Sequence, residues 1–157
     1  MKALLVVDLQ PEFARGFRGK RVYNDCLNYV KNHRADYDWV LACVYQNNKN
    51  PNMHRLLSWT DMKEIMPIEF SPNYVYMHSG YSIGEYPEFS REDHIDVIGF
   101  DTDACVLSAC FDLFNMGADF SILGKLCYSS GGQDMHEAGL KVMKRQFGKA
   151  LDLNSKS

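Results

Sequence analysis

The sequence predicts an α/β fold, a three-layer α/β/α sandwich with a central, mainly parallel sheet of five or six strands. Short apolar runs of strand length alternate along the chain with segments of helical periodicity. Most of these runs are apolar on both faces, which is typical of parallel strands that helices cover on both sides. Right-handed crossovers between successive strands then distribute the helices over two outer layers.

The strands are predicted from five apolar runs. The first, KALLVVDL, has strand length and ends in an acid, and the second reads WVLACVYQ. The other three are NYVYMH, HIDVIGF and DFSILGK. The predicted strands are residues 2–9, 39–46, 73–78, 94–100 and 119–125.

Four segments between the strands predict helices. In the first of them apolar side chains recur at helical spacing. The helix after the fourth strand follows Asp101 and Thr102, either of which can cap it, and it ends near Gly117. Gly148 stops the last helix. The predicted helices are residues 21–35, 52–62, 103–116 and 134–147.

The composition is typical of one globular domain. The 157 residues fit a single domain, 1–157, and 46% apolar residues are enough to build a core. A net charge of -3 from mixed acids and bases does not indicate nucleic-acid binding. No apolar run approaches the ~20 residues of a membrane span, and the N-terminal apolar stretch is too short for a signal peptide. We therefore expect a soluble cytoplasmic protein without a nucleic-acid or membrane partner.

The cysteine pattern does not fit a disulfide framework or a zinc site. There are five cysteines, an odd number, at irregular spacing and without a C-x-x-C pair. We expect them to be reduced, and most of them to be buried as small hydrophobes.

Three chemically competent residues follow different predicted strands. Asp8 comes at the end of the first strand, His78 at the end of the third, and Cys105 just after the fourth. Sites in parallel α/β sheets gather beyond the carboxyl ends of the strands. The three side chains are therefore predicted to converge at one edge of the sheet.

Each of these residues has a functional and a structural interpretation. Cys105 is predicted in the first turn of a helix, where unpaired N–H groups and the helix dipole favour a thiolate and can hold an oxyanion. It can equally be a buried structural cysteine. Asp8 is costly to bury without a partner; it is either a general base with a raised pKa or the cap of the next loop.

Two stretches of the sequence resemble the isochorismatase-like cysteine hydrolase superfamily. LLVVDLQPEF matches its D-x-Q-x-x-F opening, and GFDTDACV matches its G-x-x-T-D-x-C-V turn, with an SS-G turn and an H-E-A helix downstream. The resemblance implies an amidohydrolase with an Asp–Lys–Cys triad, in which Asp8 is the base and Cys105 the nucleophile. It also implies a cis peptide at Phe100–Asp101 that aims the N–H groups of Asp101 and Cys105 at the substrate oxygen.

The lysine of that triad is missing from this sequence. The superfamily pattern is roughly K-x-x-Y-S after the third strand, and here HSGYS matches Tyr81 and Ser82. His78 falls in the lysine position, although a shift of one residue would place Met77 there. An imidazolium paired with Asp8 can still support a thiolate, whereas methionine removes the charge.

The divalent-metal motif of the nicotinamidases within this superfamily is also missing. Those enzymes carry D-x-H after the second strand, where this sequence has Tyr45 and Asn47. His54 is a lone histidine on a short polar helix, where the side chain is usually just solvated. We therefore predict no metal and no cofactor, and we do not expect nicotinamidase activity.

Five further residues are predicted to contact the substrate. Gln10 and Phe13 follow Asp8 in the loop above the sheet, where Phe13 can stack on a planar ligand. Gln46 and Asn47 end the second strand and can bind an amide or carboxyl group, and Tyr81 matches the superfamily pattern. Residues with a weaker case are Trp59, Tyr128, Ser129 and Ser130.

Two functional hypotheses remain open from the sequence. The first is a cysteine hydrolase that cleaves a small amide or related acyl compound, a non-peptide C–N bond, through a thioester intermediate. The second is a catalytically impaired relative that binds a small ligand or a protein partner. A homo-oligomer is also open, because several aromatics predicted to be exposed offer an interface, with edge packing as the alternative. They are Tyr74, Tyr76, Tyr81 and Tyr86.

Overall fold

The computed structural model describes residues 1–84, 86, 89–90 and 92–154 and contains one six-stranded sheet. Every pair of neighbouring strands is parallel. The strands are β1 (Lys2–Val7), β2 (Trp39–Tyr45), β3 (Tyr74–His78), β4 (His94–Phe100), β5 (Asp119–Tyr128) and β6 (Leu151–Asp152). Their order across the sheet is β3-β2-β1-β4-β5-β6, which confirms the predicted parallel sheet.

The helices cover both faces of this sheet. Ala3, Leu5 and Val7 of β1 belong to one core cluster, and Leu4 and Val6 belong to the other. The helices are α1 (Gly16–His33), α2 (Pro51–Leu57), α3 (Cys105–Asn115) and α4 (Gln133–Phe147). The first cluster includes buried side chains of α3 and α4, whereas the second includes those of α1. The alternation of side chains along β1 therefore creates the three predicted layers.

The predicted and observed strand boundaries differ most in β1 and β5. β1 ends at Val7 because Asp8 adopts a left-handed conformation with φ 47°. β5 continues to Tyr128, and its pairing with β4 shifts between Val97 and Gly99. Such an irregularity interrupts the sequence pattern of a strand. The two-residue β6 is too short for any sequence pattern to predict.

Among the helices, the predicted boundaries differ most at the start of α1 and at the end of α2. α1 begins at Gly16 rather than at residue 21, because Gly16 and Gly19 make its first turn look unlike a helix. α2 ends at Leu57, where Ser58 takes a left-handed conformation with φ 53°. The chain from Ser58 onward is therefore a loop and not the continuation of the predicted helix over 52–62.

The aromatic residues proposed for an interface are not all on the surface. Tyr86 is buried, with its ring 5.7 Å from that of Phe89 and 5.7 Å from that of Tyr76. Tyr74 and Tyr81 are exposed. The expectation of an exposed Tyr86 is wrong, and the homo-oligomer stays a prediction.

Two further findings bear on the expectations from composition. All five cysteines are free and buried. Among the described residues, no helix has both the length and the apolar character needed to cross a bilayer.

Gly99 allows β4 to approach β1 closely. Its φ is +127°, and a Cβ at this position would lie 1.9 Å from the carbonyl oxygen of Val7. An L side chain is strained at this φ, and here it would also overlap backbone that cannot move without breaking the central strand pair.

We predict that Gly99→Ala lowers the free energy of unfolding by at least about 3 kcal/mol, the sum of backbone strain and steric overlap. The matched control is Gly16→Ala, because Gly16 also has a positive φ of +70° but no atom within 4 Å of the point where its Cβ would lie. That variant is expected to lose about 1–2 kcal/mol. Urea denaturation measures the free energy of unfolding of both variants. If both lose the same amount, the overlap at Gly99 adds no cost, which would contradict the prediction.

Candidate active site

Asp8, His78 and Cys105 meet at the carboxyl edge of the sheet. Three side-chain atoms lie within 4.8 Å of one another: a carboxylate oxygen of Asp8, a ring nitrogen of His78 and the sulfur of Cys105. All three residues are buried. They come from the ends of β1 and β3 and the start of α3, as the rule for parallel sheets predicts.

Asp8 turns its carboxylate into this edge because the chain leaves the sheet at that residue. Its N–H still donates to the carbonyl of Cys43 at 2.9 Å, while its φ of 47° ends the strand. Aspartate is one of the few residues that tolerate this conformation. The side chain is fully buried; Oδ1 lies 2.6 Å from Nε2 of His78, and no described residue donates a hydrogen bond to Oδ2.

His78, and not Met77, occupies the lysine position. The His78 side chain is 4% exposed and contacts Asp8, whereas Met77 is 52% exposed. Successive side chains of a strand point to opposite faces, so only one of the two neighbours can reach the site. The register of β3 against β2, which pairs His78 with Tyr45, fixes which one it is.

The two hydrogen bonds of His78 define its protonation. Nδ1 lies 2.7 Å from the carbonyl oxygen of Gly80. A carbonyl oxygen only accepts, so Nδ1 carries a hydrogen. One further proton is then shared between Nε2 and the Asp8 carboxylate, which forms either an imidazolium–carboxylate pair or its neutral equivalent.

The pKa values of Asp8 and His78 are both raised. Burial raises the pKa of Asp8, an effect that the hydrogen bond and the charge of His78 only partly offset. Burial lowers the pKa of His78, but the hydrogen bond and charge of Asp8 outweigh it, so the net pKa is above its ordinary value. The pair therefore holds its shared proton more tightly than an isolated histidine does.

Cys105 begins α3 and so lies in its first turn, as predicted, but its environment does not favour a thiolate. Burial and the nearby charge of Asp8 raise the pKa of the thiol well above its usual range. The expectation that the helix start would lower this pKa is wrong in the free protein. Proton transfer to a base must therefore accompany any nucleophilic attack by Cys105.

The turn before α3 presents two backbone donors. The N–H groups of Ala104 and Val106 both donate to the carbonyl of Asp101. Within the described part of the chain, the N–H groups of Asp101 and Cys105 donate to no acceptor. The Phe100–Asp101 peptide is cis, as the resemblance implied. These two N–H groups are therefore available to an incoming oxygen atom.

Side chains do not cap α3 but brace the turn before it. The N-cap residue is Ala104, so the predicted caps Asp101 and Thr102 are wrong. Thr102 Oγ1 instead lies 2.6 Å from Nδ1 of His136. A Cβ on Gly139 would lie 2.9 Å from the carbonyl carbon of Thr102, so α4 packs directly against the turn. Contacts from α4 therefore help to position the turn.

A cavity of about 180 Å³ opens beside Cys105. Phe13 and Tyr81, both predicted substrate contacts, line it together with Trp59. Asp101 and Ser130 also line it. The remaining wall residues were not predicted as pocket residues, namely Tyr45, Met53, Leu57 and Ala104. Tyr45 ends β2 at the same edge of the sheet as Asp8, and this position at a strand end could have predicted it as a wall residue.

Three of the predicted substrate contacts lie elsewhere. Gln10 exchanges two hydrogen bonds with the backbone of Tyr45, at 2.9 and 3.0 Å. Gln46 donates to the carbonyl of Lys63, and Asn47 donates to two backbone carbonyls of the loop after α2. None of the three lines the cavity. Their amides hold backbone segments together because buried backbone groups at the strand ends require partners.

The residues at the nicotinamidase metal positions do not fit a metal. Both donors of the Asn47 amide nitrogen are used by carbonyls of Trp59 and Asp61. Tyr45 offers a buried phenol rather than a carboxylate. The three atoms of Asp8, His78 and Cys105 are close enough to contact one ion, but such an ion would occupy the nucleophile itself.

Comparison with known proteins places this site within a known fold. The chain matches the isochorismatase domain model over residues 2–155. A nicotinamidase/pyrazinamidase from Bacillus subtilis is 20% identical, with a TM-score of 0.73 over 96% of this chain and 98% of that chain. An isochorismatase-like hydrolase from Alkaliphilus metalliredigens is 18% identical, with a TM-score of 0.73 over 92% and 91%.

A ribonuclease, MAR1 from Caenorhabditis elegans, is also similar in structure. It is 14% identical, with a TM-score of 0.66 over 92% of this chain and 72% of that chain. No curated protein sequence gives a significant match. At these identities the structural likeness establishes the fold, whereas the domain model covers nearly the whole sequence. The protein therefore belongs to the isochorismatase family.

Proposed function

We propose that this protein is a cysteine hydrolase that cleaves a small non-peptide amide, or a related acyl compound, through a thioester on Cys105. The observation that carries the proposal is the meeting of Asp8, His78 and Cys105 within 4.8 Å, with Oδ2 of Asp8 unpartnered among the described residues. A buried carboxylate oxygen without a donor is costly, and the thiol proton is the donor that the site offers.

In the proposed reaction Asp8 acts as the base. It takes the thiol proton while Cys105 Sγ attacks the carbonyl carbon, and the N–H groups of Asp101 and Cys105 stabilise the oxyanion. Asp8 then passes the proton to the leaving amine as the C–N bond breaks. Water, deprotonated by Asp8, attacks the thioester, and the products are a carboxylic acid and the regenerated thiol.

In this scheme His78 replaces the lysine of the superfamily as the cation. Its imidazolium orients Asp8 through the 2.6 Å hydrogen bond and offsets the negative charge that develops on sulfur. The hydrogen bond from Nδ1 to the Gly80 carbonyl holds the ring in place. The raised pKa of Asp8 suits a base that must remove a proton from an unusually weak acid.

The experiment that tests the proposal is the capture of the acyl-enzyme. We predict that a small activated ester or amide adds an acyl mass to Cys105, located by peptide mass spectrometry, and that the adduct turns over. Cys105→Ser is expected to lower kcat/KM by about 10³-fold or more, because the hydroxyl is a weaker nucleophile.

The matched control is Cys110→Ala, which removes a second buried cysteine of α3. It is expected to leave the adduct on Cys105 unchanged. An adduct on another cysteine, or turnover without any adduct in either protein, would contradict a thioester on Cys105.

We predict a bell-shaped dependence of kcat/KM on pH. Asp8 must be ionised, so activity falls as pH falls through its raised pKa, which lies above 3.8. The imidazolium is present below the raised pKa of His78 and is lost above it, so activity also falls as pH rises through a value above 6.5.

Substitution of His78 tests the assignment of the alkaline limb. His78→Lys is expected to move that limb to higher pH, because an unperturbed lysine has a pKa of about 10.4. His78→Met is expected to lower kcat/KM about tenfold or more by removing the charged hydrogen bond. An alkaline limb at the same pH in the lysine variant would show that another group titrates there.

We predict that micromolar Zn²⁺ inhibits the enzyme and that a chelator restores activity. A thiolate, an imidazole and a carboxylate are zinc ligands, and zinc bound to them would block the nucleophile. Mg²⁺ prefers oxygen ligands and is the matched control without effect. Activation by zinc would instead identify the three residues as a catalytic metal centre.

A second candidate function is ligand binding without turnover. It is favoured by the raised pKa of the buried Cys105 thiol and by the absence of the superfamily lysine. In that case small ligands would stabilise the protein against heat, while no acyl adduct would form with any activated substrate.

A further inference from the structure

An acidic residue lines the cavity next to the proposed nucleophile. Asp101 follows β4 directly and lines the cavity together with Cys105 and Ser130. Its Oδ1 accepts the Ser130 N–H at 2.8 Å, and its Oδ2 accepts the Ser130 hydroxyl at 2.6 Å. Each carboxylate oxygen accepts about two hydrogen bonds, so the carboxylate is fixed in orientation and still has acceptor capacity.

The charge of Asp101 is not neutralised by a neighbour. Among the described residues no basic side chain lines the cavity or forms an ion pair with Asp101. Burial, together with the nearby acids Asp103 and Asp8, raises its pKa to about 6 despite the hydrogen bonds from Ser130. At neutral pH Asp101 is therefore an ionised and partly buried acid that lacks a cation.

The other residues that line the cavity suit a compact apolar or aromatic group. Phe13, Tyr45, Trp59 and Tyr81 contribute aromatic rings to it. Aromatic faces attract cations as well as apolar surface. Arg15 lies over the Trp59 ring at 5.3 Å from its centroid, but it is exposed and outside the cavity wall, where solvent and salt screen its charge.

We propose that Asp101 is a specificity-determining residue, and that the ligand of this cavity is a small amide whose apolar or aromatic body carries a protonated amino group. The cavity volume of about 180 Å³ is below the usual range of ligand pockets, about 300–1,000 Å³, and limits that body to roughly one ring. Anionic compounds are rejected because they would face the uncompensated carboxylate. The hydrolysis of such amides rests on the proposed function, whereas the selective binding does not.

The binding arm of the test uses three non-hydrolysable probes of similar size, namely benzylammonium, benzyl alcohol and benzoate. Isothermal titration calorimetry at pH 7.5 measures their Kd with the unmodified protein. Benzylammonium is expected to bind at least about tenfold more tightly than benzyl alcohol, as for a hydrogen bond to a charged group. Benzoate is expected to bind more weakly than the alcohol. Equal binding of the three probes, or binding of none, overturns the proposal.

Two variants that each remove one carboxylate charge show which residue causes the preference for benzylammonium. Asp101→Asn is expected to bring the benzylammonium-to-benzyl alcohol ratio close to one. Asp103→Asn removes the same charge two positions away, from a residue that does not line this cavity, and it is expected to keep the ratio. Asp101→Glu keeps the charge and is expected to retain a preference for benzylammonium. Loss of the preference in Asp103→Asn as in Asp101→Asn would indicate a diffuse field and overturn the assignment to Asp101.

The kinetic arm separates this inference from the proposed function. The unmodified enzyme is assayed with 4-(aminomethyl)benzamide and 4-methylbenzamide, and the first is expected to have at least about a tenfold higher kcat/KM. Hydrolysis of both amides at equal kcat/KM overturns the role of Asp101 but leaves the hydrolase. Selective binding of benzylammonium without hydrolysis of either amide leaves the role of Asp101 and overturns the hydrolase.

Discussion

The hydrogen bond between Asp8 and His78 is the interaction on which the rest of the site depends. Both side chains are buried at the carboxyl edge of the central sheet, 2.6 Å apart. A carboxylate in that position is unstable without a charged or hydrogen-bonding partner. His78 binds one carboxylate oxygen, no described residue satisfies the other, and the carboxylate lies close to Cys105. The same contact that makes the burial tolerable therefore also orients the carboxylate that we propose as the base.

Cys105, the proposed nucleophile, is held in place mainly by elements other than its own helix. α4 packs against the turn that precedes α3, and His136 and Ser130 bind side chains within that turn. The free thiol is kept protonated by burial and by the charge of Asp8. Positioning, together with the two unpaired N–H groups, is therefore what the protein supplies before the substrate arrives.

The sequence predicted the sheet and the convergence of Asp8, His78 and Cys105, because strand length, apolar faces and strand ends obey simple rules. It did not predict that Gln10 and Asn47 bind backbone, since a polar residue at a strand end looks the same whether its partner is a ligand or the chain. It also missed most of the cavity wall. The wall includes side chains of α2 and of the loop after it, whose place over the edge depends on tertiary packing.

In the proposed mechanism His78 takes the place of the superfamily lysine, and its positive charge can be lost near neutral pH. The most direct test of the account is the protonation of this ring, measured by ¹⁵N-resolved NMR of the histidine side chains between pH 5 and pH 9. The account predicts that both ring nitrogens of His78 stay protonated beyond the ordinary histidine pKa of about 6.5. A ring that becomes neutral at or below that pH would contradict it, because Asp8 would then lack the charged partner that the mechanism requires.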